Sequence, residues 1–223
     1  MTLPEVPSSW PLQSDVEAKG ALLRLAEIRS DSHRDLVLLA SNHGSLRAAA
    51  NLVANLHFVG LQNYFLLADS AGSCTSVAGR LACVWSSLVE YMRRTLGRIS
   101  GDARVRALWL GRQIYAGRLA ELGFNVMLLD SDSIIFADPF ALIRTQLNSY
   151  QLVIMADHSR TWMNSNCGTY YLQGARPGGP LLAAWRHFER RALGVLNGSW
   201  GGPTFPLATT SHKPELLLAW ENT

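Results

Sequence analysis

Residues 111–140, GRQIYAGRLAELGFNVMLLDSDSIIFADPF, decide how the chain folds. The first half is helical in period. It extends a helix expected over residues 103–122, with Asp102 as N-cap and Gly123 at the C′ position where glycine ends helices. Residues 126–129 (VMLL) are a continuous apolar run, as in a strand buried on both faces. The run stops at Asp130-Ser131-Asp132-Ser133. Asp138-Pro139 then supplies an N-cap and an N1 proline for the next helix.

The same alternation continues on both sides. Upstream, short apolar runs at 36–40 (LVLLA) and 64–68 (YFLLA) read as buried strands, closed by the polar clusters Ser41-Asn42-His43-Gly44 and Asp69-Ser70-Ala71-Gly72. Helices are expected over 16–28, 45–56 and 77–96, after a Pro-rich tail over 1–18. Downstream, strands are expected at 152–155 and 169–172 and a helix at 180–192. Beyond Leu193 the chain turns Gly- and Pro-rich, with a short helical piece at 215–220. Strands alternating with helices imply an α/β fold with a mostly parallel sheet. Ligands of such sheets bind at the carboxyl ends of strands. The clusters at 41–43, 69–70 and 130–133 all follow strands, so all three belong to one edge.

Composition bounds the function. The 223 residues are 48% apolar and 17% charged, which suits a folded domain and not a disordered chain. Twenty basic against seventeen acidic residues give a net charge of +3, with no basic stripe for nucleic acid. Neither a signal peptide nor an anchor is visible, and the uncharged stretch 48–68 is too polar for a bilayer core. The three cysteines, Cys74, Cys83 and Cys167, read as small buried hydrophobes, with a Cys74–Cys83 bridge as the other reading.

The chemistry lies in Asp130 and Asp132. Residues i and i+2 of an extended chain face the same way, so both carboxylates would project together at the sheet's mouth. Adjacent carboxylates repel unless a cation lies near them, and Mg²⁺ or Mn²⁺ is the fitting hard cation. Such an ion could hold a diphosphate and neutralise a leaving group.

Residues 111–140 resemble the core motif of the nucleotide-diphospho-sugar transferase family. That family includes plant and algal arabinosyl- and xylosyltransferases of cell-wall glycoproteins and pectins. Arg112, Leu122-Gly123-Phe124, Val126, Asp130, Asp132 and Asp138-Pro139 follow the family pattern in order. Upstream, LVLLASNHGSLRAAANLVANL resembles the first strand, asparagine (Asn42) and helix, and YFLLADS the second strand ending in Asp69. Downstream, residues 166–172 (NCGTYYL) resemble a later strand.

The resemblance implies a GT-A-type, Rossmann-like α/β sandwich. Residues 1–30 would be a tail and helix. Residues 31–223 would be the transferase domain, shortened at its C-terminal end because the acceptor-side motifs are not found. The implied activity moves a sugar from a nucleotide-sugar donor to a glycan or glycoprotein hydroxyl, with a divalent metal, in the Golgi or secretory lumen. Ser41, Asn42, Asp69, Arg112 and Asp130 would face the donor, Arg112 at its phosphates. Asp157, Asn166 and Gly168 would lie near the sugar or acceptor. Asp130 and Asp132 would hold the metal, Asp132 as principal ligand, with His212 as the late histidine candidate. Two other readings stand beside this one. VMLLDSDS also fits a D-x-D phosphatase-like hydrolase, with Asp130 as nucleophile. The missing acceptor-side motifs also fit a non-catalytic domain that binds a nucleotide sugar or glycan.

Overall fold

The computed structural model describes residues 14–97, 103–156 and 165–196. Within them lie β1 (Asp35–Ser41), β2 (Tyr64–Ala68), β3 (Cys83–Trp85), β4 (Asn125–Leu129), β5 (Leu152–Ala156) and β6 (Ser165–Leu172). The helices are α1 (Ala21–Arg29), α2 (Leu46–Phe58), α3 (Ala71–Ser76), α4 (Ser87–Leu96), α5 (Ala103–Glu121), α6 (Pro139–Gln146) and α7 (Pro180–Leu196). The strands form one sheet in the order β3-β2-β1-β4-β6-β5. β3, β2, β1 and β4 run parallel, and β6 runs antiparallel to both β4 and β5. The expected α/β class with a mostly parallel sheet is the one observed.

The apolar runs end up where their composition puts them. Every residue of β1 and β2 is buried, as strands covered on both faces require. On β6 two adjacent tyrosines mark the two covering layers. The Tyr170 hydroxyl donates to Gln113 Oε1 of α5 at 2.5 Å, whereas the Tyr171 ring packs edge-on against Phe140 of α6, centroids 5.5 Å apart. α5 is enclosed on two further sides. Gly111 and Gly117 leave room for Val89 of α4 and the Trp185 indole of α7, which a methyl group would meet at 2.5 and 2.1 Å. Gly123 closes α5 at φ 82°, and Asp138 caps α6 by accepting from the Phe140 N–H at 2.9 Å, both as expected.

Four expectations need correction. The span 77–96 is not one helix but a turn, then β3, then α4. Ser86 starts α4 anew by accepting from the Val89 N–H at 3.0 Å. Three residues of edge strand are too few to interrupt a helical period. Second, the 16–28 helix begins only at Ala21, after Gly20 in the left-handed region. Residues 14–16 instead lie along β3, with an Asp15–Trp85 bridge and Ser87 N–H donating to Asp15 Oδ1 at 3.0 Å. Val16, Leu25 and Ala26 belong to the same core as the strands. Third, Cys74 and Cys83 form a disulfide joining α3 to β3, and are not merely buried hydrophobes. Fourth, the Asp130–Ser133 segment is a turn, described below. Asp102, the piece at 215–220, Asp157 and His212 lie outside the described residues.

Two predictions follow from this packing. The bridge closes a loop with a sequence separation of 9. Loops of that size give about 2–3 kcal/mol from the restricted unfolded chain. Urea unfolding of the oxidised chain and of the Cys74→Ala/Cys83→Ala double variant should differ by that amount; coincident curves would show that the bridge contributes nothing. The second concerns pH. His57 Nε2 is buried with no partner among the described residues, and its ring stands edge-on to Tyr64. Burial, and then the Arg29 charge, lower its pKa below the usual 6.5. A base with a lowered folded pKa contributes stability that is complete above pH 6.5 and is lost as pH falls through the lowered value. Stability should therefore decline on acidification below pH 6.5, and His57→Gln should flatten that part of the profile in chemical denaturation.

Candidate active site at the carboxyl edge

β1, β2 and β4 deliver their polar termini to one edge of the sheet, as the parallel register requires. At the end of β1, Ser41 is buried, and its hydroxyl lies 2.9 Å from Ser45 Oγ. Asn42 accepts from the Ser45 N–H at 3.0 Å and caps the short turn that leads into α2. At the end of β2, buried Asp69 accepts from Ser73 Oγ at 2.6 Å. These three residues shape the strand ends. Their side chains are already engaged with the next helix in each case.

After β4 the chain does not stay extended. The Ser133 N–H donates to the Asp130 carbonyl at 3.0 Å, so Ser131 and Asp132 are the middle of a tight turn. The expectation that Asp130 and Asp132 point the same way by strand alternation is therefore replaced. The two carboxylates separate into different environments: Asp132 is exposed at the turn, and Asp130 is half-buried and held.

Among the described residues, two hold Asp130. Arg112 of α5 donates from Nη1 to Asp130 Oδ1. The Arg112 side chain is 8% exposed against 36% for Asp130, so the pair closes the protein side of the edge and leaves the carboxylate at its surface. The second is Gly168. A Cβ there would lie 1.6 Å from Asp130 Oδ2, inside the carboxylate itself. β6 pairs Tyr170 with Leu128, which brings Gly168 level with Asp130. Gly168 thus makes space for the carboxylate of the neighbouring strand. The resemblance puts Arg112 at the donor phosphates; its guanidinium reaches Asp130, and its buried Nε has no partner among the described residues. Asn166 lies in β6 on the same strand, and Asp157 and His212 are outside the described residues.

The sequence profile of the nucleotide-diphospho-sugar transferases matches residues 99–195. This stretch, a little under half of the chain, is similar to the nucleotide-diphospho-sugar transferases. It holds Arg112, Asp130 and Gly168, which meet at the edge, and the exposed Asp132 beside them. Among solved structures, mouse xyloside xylosyltransferase 1 in its apo form is similar at 12% identity and a TM-score of 0.47, over 74% of this chain and 76% of that one. The mannosyltransferase Ktr4p from S. cerevisiae in complex with GDP is similar at 11% identity and a TM-score of 0.31, over 70% of this chain and 45% of that one. No curated protein matches the chain.

In the matched segment, the donor set suits a hard cation in part. Among the described residues no three His, Cys, Asp or Glu side chains converge. Two carboxylates with oxygen donors match the small protein share that Mg²⁺-like ions take when waters and phosphates complete the shell. The contact at Gly168 gives a direct test. Gly168→Ala must push the Asp130 carboxylate aside and strain its pair with Arg112. A loss of about 1–3 kcal/mol in chemical denaturation is expected. A variant as stable as the parent would mean that Asp130 does not rest on residue 168.

Proposed function

We propose that the chain is a glycosyltransferase domain that takes a nucleotide-sugar donor, uses a divalent cation and glycosylates a glycan or glycoprotein hydroxyl. The observation that carries this reading is the fixed Asp130 beside exposed Asp132, at the carboxyl edge of a parallel sheet and inside the matched segment. Asp132, with the outer face of Asp130, would hold Mn²⁺ or Mg²⁺. When bound, the ion would neutralise charge on the departing diphosphate.

The residues of the chain do the rest. Arg112 supplies a positive charge behind Asp130 and keeps that carboxylate in one orientation. The ion pair leaves Arg112 the role of orienting Asp130, and neutralising the leaving group would fall to the cation. The ends of β1 and β2, at Asn42 and Asp69, would border the nucleotide. In the transfer the acceptor oxygen bonds to the anomeric carbon and loses its proton. The bond from that carbon to the diphosphate oxygen breaks, and the nucleoside diphosphate leaves with the electron pair. Asn166 and Gly168 would stand on the sugar side, with Asp157 and His212 as further candidates.

The phosphatase-like alternative is disfavoured by the same geometry. Its nucleophile would be Asp130, yet one oxygen of that carboxylate is bound by Arg112 and the other rests on Gly168. The disulfide supports a lumenal setting, because such bridges persist in oxidising compartments. Among the described residues no helix is long and apolar enough to cross a membrane.

Titration calorimetry with GDP and UDP, with and without Mn²⁺, tests the reading. The expected result is a nucleoside diphosphate bound at least tenfold more tightly with Mn²⁺, and loss of that increment in Asp132→Ala. Binding that ignores both the metal and the substitution would falsify it.

A further inference from the structure

α5 presents one large aromatic side chain to solvent near the site. Trp109 is 48% exposed, although its neighbours Leu108, Arg112 and Gln113 are buried. An exposed indole leaves much apolar surface in water, so its position is informative.

Two registers place it. Along α5, Trp109 lies three positions before Arg112 and four before Gln113. Residues at those spacings neighbour each other on a helix surface, with Cβ atoms about 6 Å apart. Arg112 reaches Asp130, and Gln113 accepts from the Tyr170 hydroxyl. Along β6, Gly168 lies two positions from Tyr170 and so faces the same side of the sheet, against Asp130. Moving one turn up α5 from Gln113 and two residues along β6 from Tyr170 brings Trp109 and Gly168 to the same corner. Heights agree. Trp109 is twelve residues above the end of α5, or about 18 Å of helix. Asp130 is five residues above the start of β4, or about 17 Å of strand.

The geometry points to Trp109 as a saccharide-binding residue that walls the site on its α5 and β6 side. The ring it receives is a sugar and not the base. The strand ends assigned to the nucleotide belong to β1 and β2, whereas the register argument puts Trp109 toward β6, which lies on the other side of β4 from β1. The C–H face of a pyranose or furanose ring is apolar and matches the face of an indole, while its hydroxyls stay in water. The saccharide is either the donor's sugar or the acceptor's, and the two share this chemistry.

The inference rests on the transferase reading, and the experiment separates their failures. Affinities are measured with the full chain and Mn²⁺ for three probe classes: GDP and UDP; GDP-mannose and UDP-xylose; methyl mannoside and methyl xyloside. Trp109→Ala should leave GDP and UDP within about twofold and weaken a saccharide-bearing probe by about five- to tenfold. Trp109→Phe should recover most of the loss. A loss confined to the nucleotide sugars assigns the ring to the donor, and one confined to the glycosides to the acceptor. Equal loss for GDP and UDP, no loss with any saccharide, or a parent chain that binds no saccharide overturns the role of Trp109. A parent chain that binds glycosides through Trp109 but no nucleoside diphosphate overturns the transferase reading alone. If Trp109→Ala does not fold, the ¹⁹F resonance of 5-fluorotryptophan at position 109, assigned with Trp109→Phe, must shift on adding the glycoside or nucleotide sugar; an unmoved line counts against the proposal.

Discussion

The candidate site depends on one buried charge and the carboxylate that meets it. Arg112 enters from the middle of α5, where the surrounding residues are apolar, and its guanidinium pairs with Asp130. Burying a guanidinium is costly, and removing its partner typically costs about 3–5 kcal/mol because the charge is left behind. The pair is therefore a constraint on the whole fold. α5 must lie at one height against β4. The chain must turn immediately after Leu129, and β6 must offer a residue without a side chain at the point of contact. Gly168 meets that last condition from a position 56 residues beyond Arg112.

A second buried charge fixes the opposite end of the same strands. Asp35 opens β1 with its side chain fully buried. Its carboxylate accepts from the Tyr171 hydroxyl at 2.6 Å and from Asn125 Nδ2 at 2.9 Å, and it pairs with Arg144 of α6. Gly168 and Tyr171 lie three apart on β6 and so serve opposite faces, one toward α5 and one toward α6. A slip of one residue between β4 and β6 would send each to the wrong layer. It would put a side chain into the Asp130 carboxylate and leave Asp35 short of a donor. Antiparallel β6 is thus held in register by polar contacts at both ends, with apolar pairs such as Val126 and Leu172 between them.

How much of this was legible in the sequence depended on how local each cause is. The buried strands were legible because continuous apolar runs need no partner to be recognised, as in 64–68. Gly123 and Asp138-Pro139 were legible because a helix end is set within four residues. β3 was not, since three residues beside a helical stretch carry no period of their own. The disulfide was not, because a spacing of nine between cysteines says nothing of whether α3 and β3 will be adjacent. At the site, Arg112, Asp130 and Gly168 could each be singled out as candidates. Their mutual contact could not, because it is created by the order of strands in the sheet. The strand rule also misled at Asp132. It assumed that extension continues past Leu129, whereas the Ser133 N–H turns the chain back onto the Asp130 carbonyl.

That turn changes what an Asp-x-Asp pair means in this chain. Two carboxylates projecting side by side would repel and would depend on a cation to be tolerated at all. Here the repulsion is relieved before any ion arrives, because Asp130 is neutralised from below by Arg112 and Asp132 is turned out to solvent. Such a turn needs no cation in order to fold. On the transferase reading it also divides the work: Asp130 would provide a fixed reference anchored to α5 and β6, and exposed Asp132 would meet the ion and the diphosphate. On that reading Asp130 would stay in place when the nucleoside diphosphate leaves with its counter-ion, since its charge is already paired with Arg112.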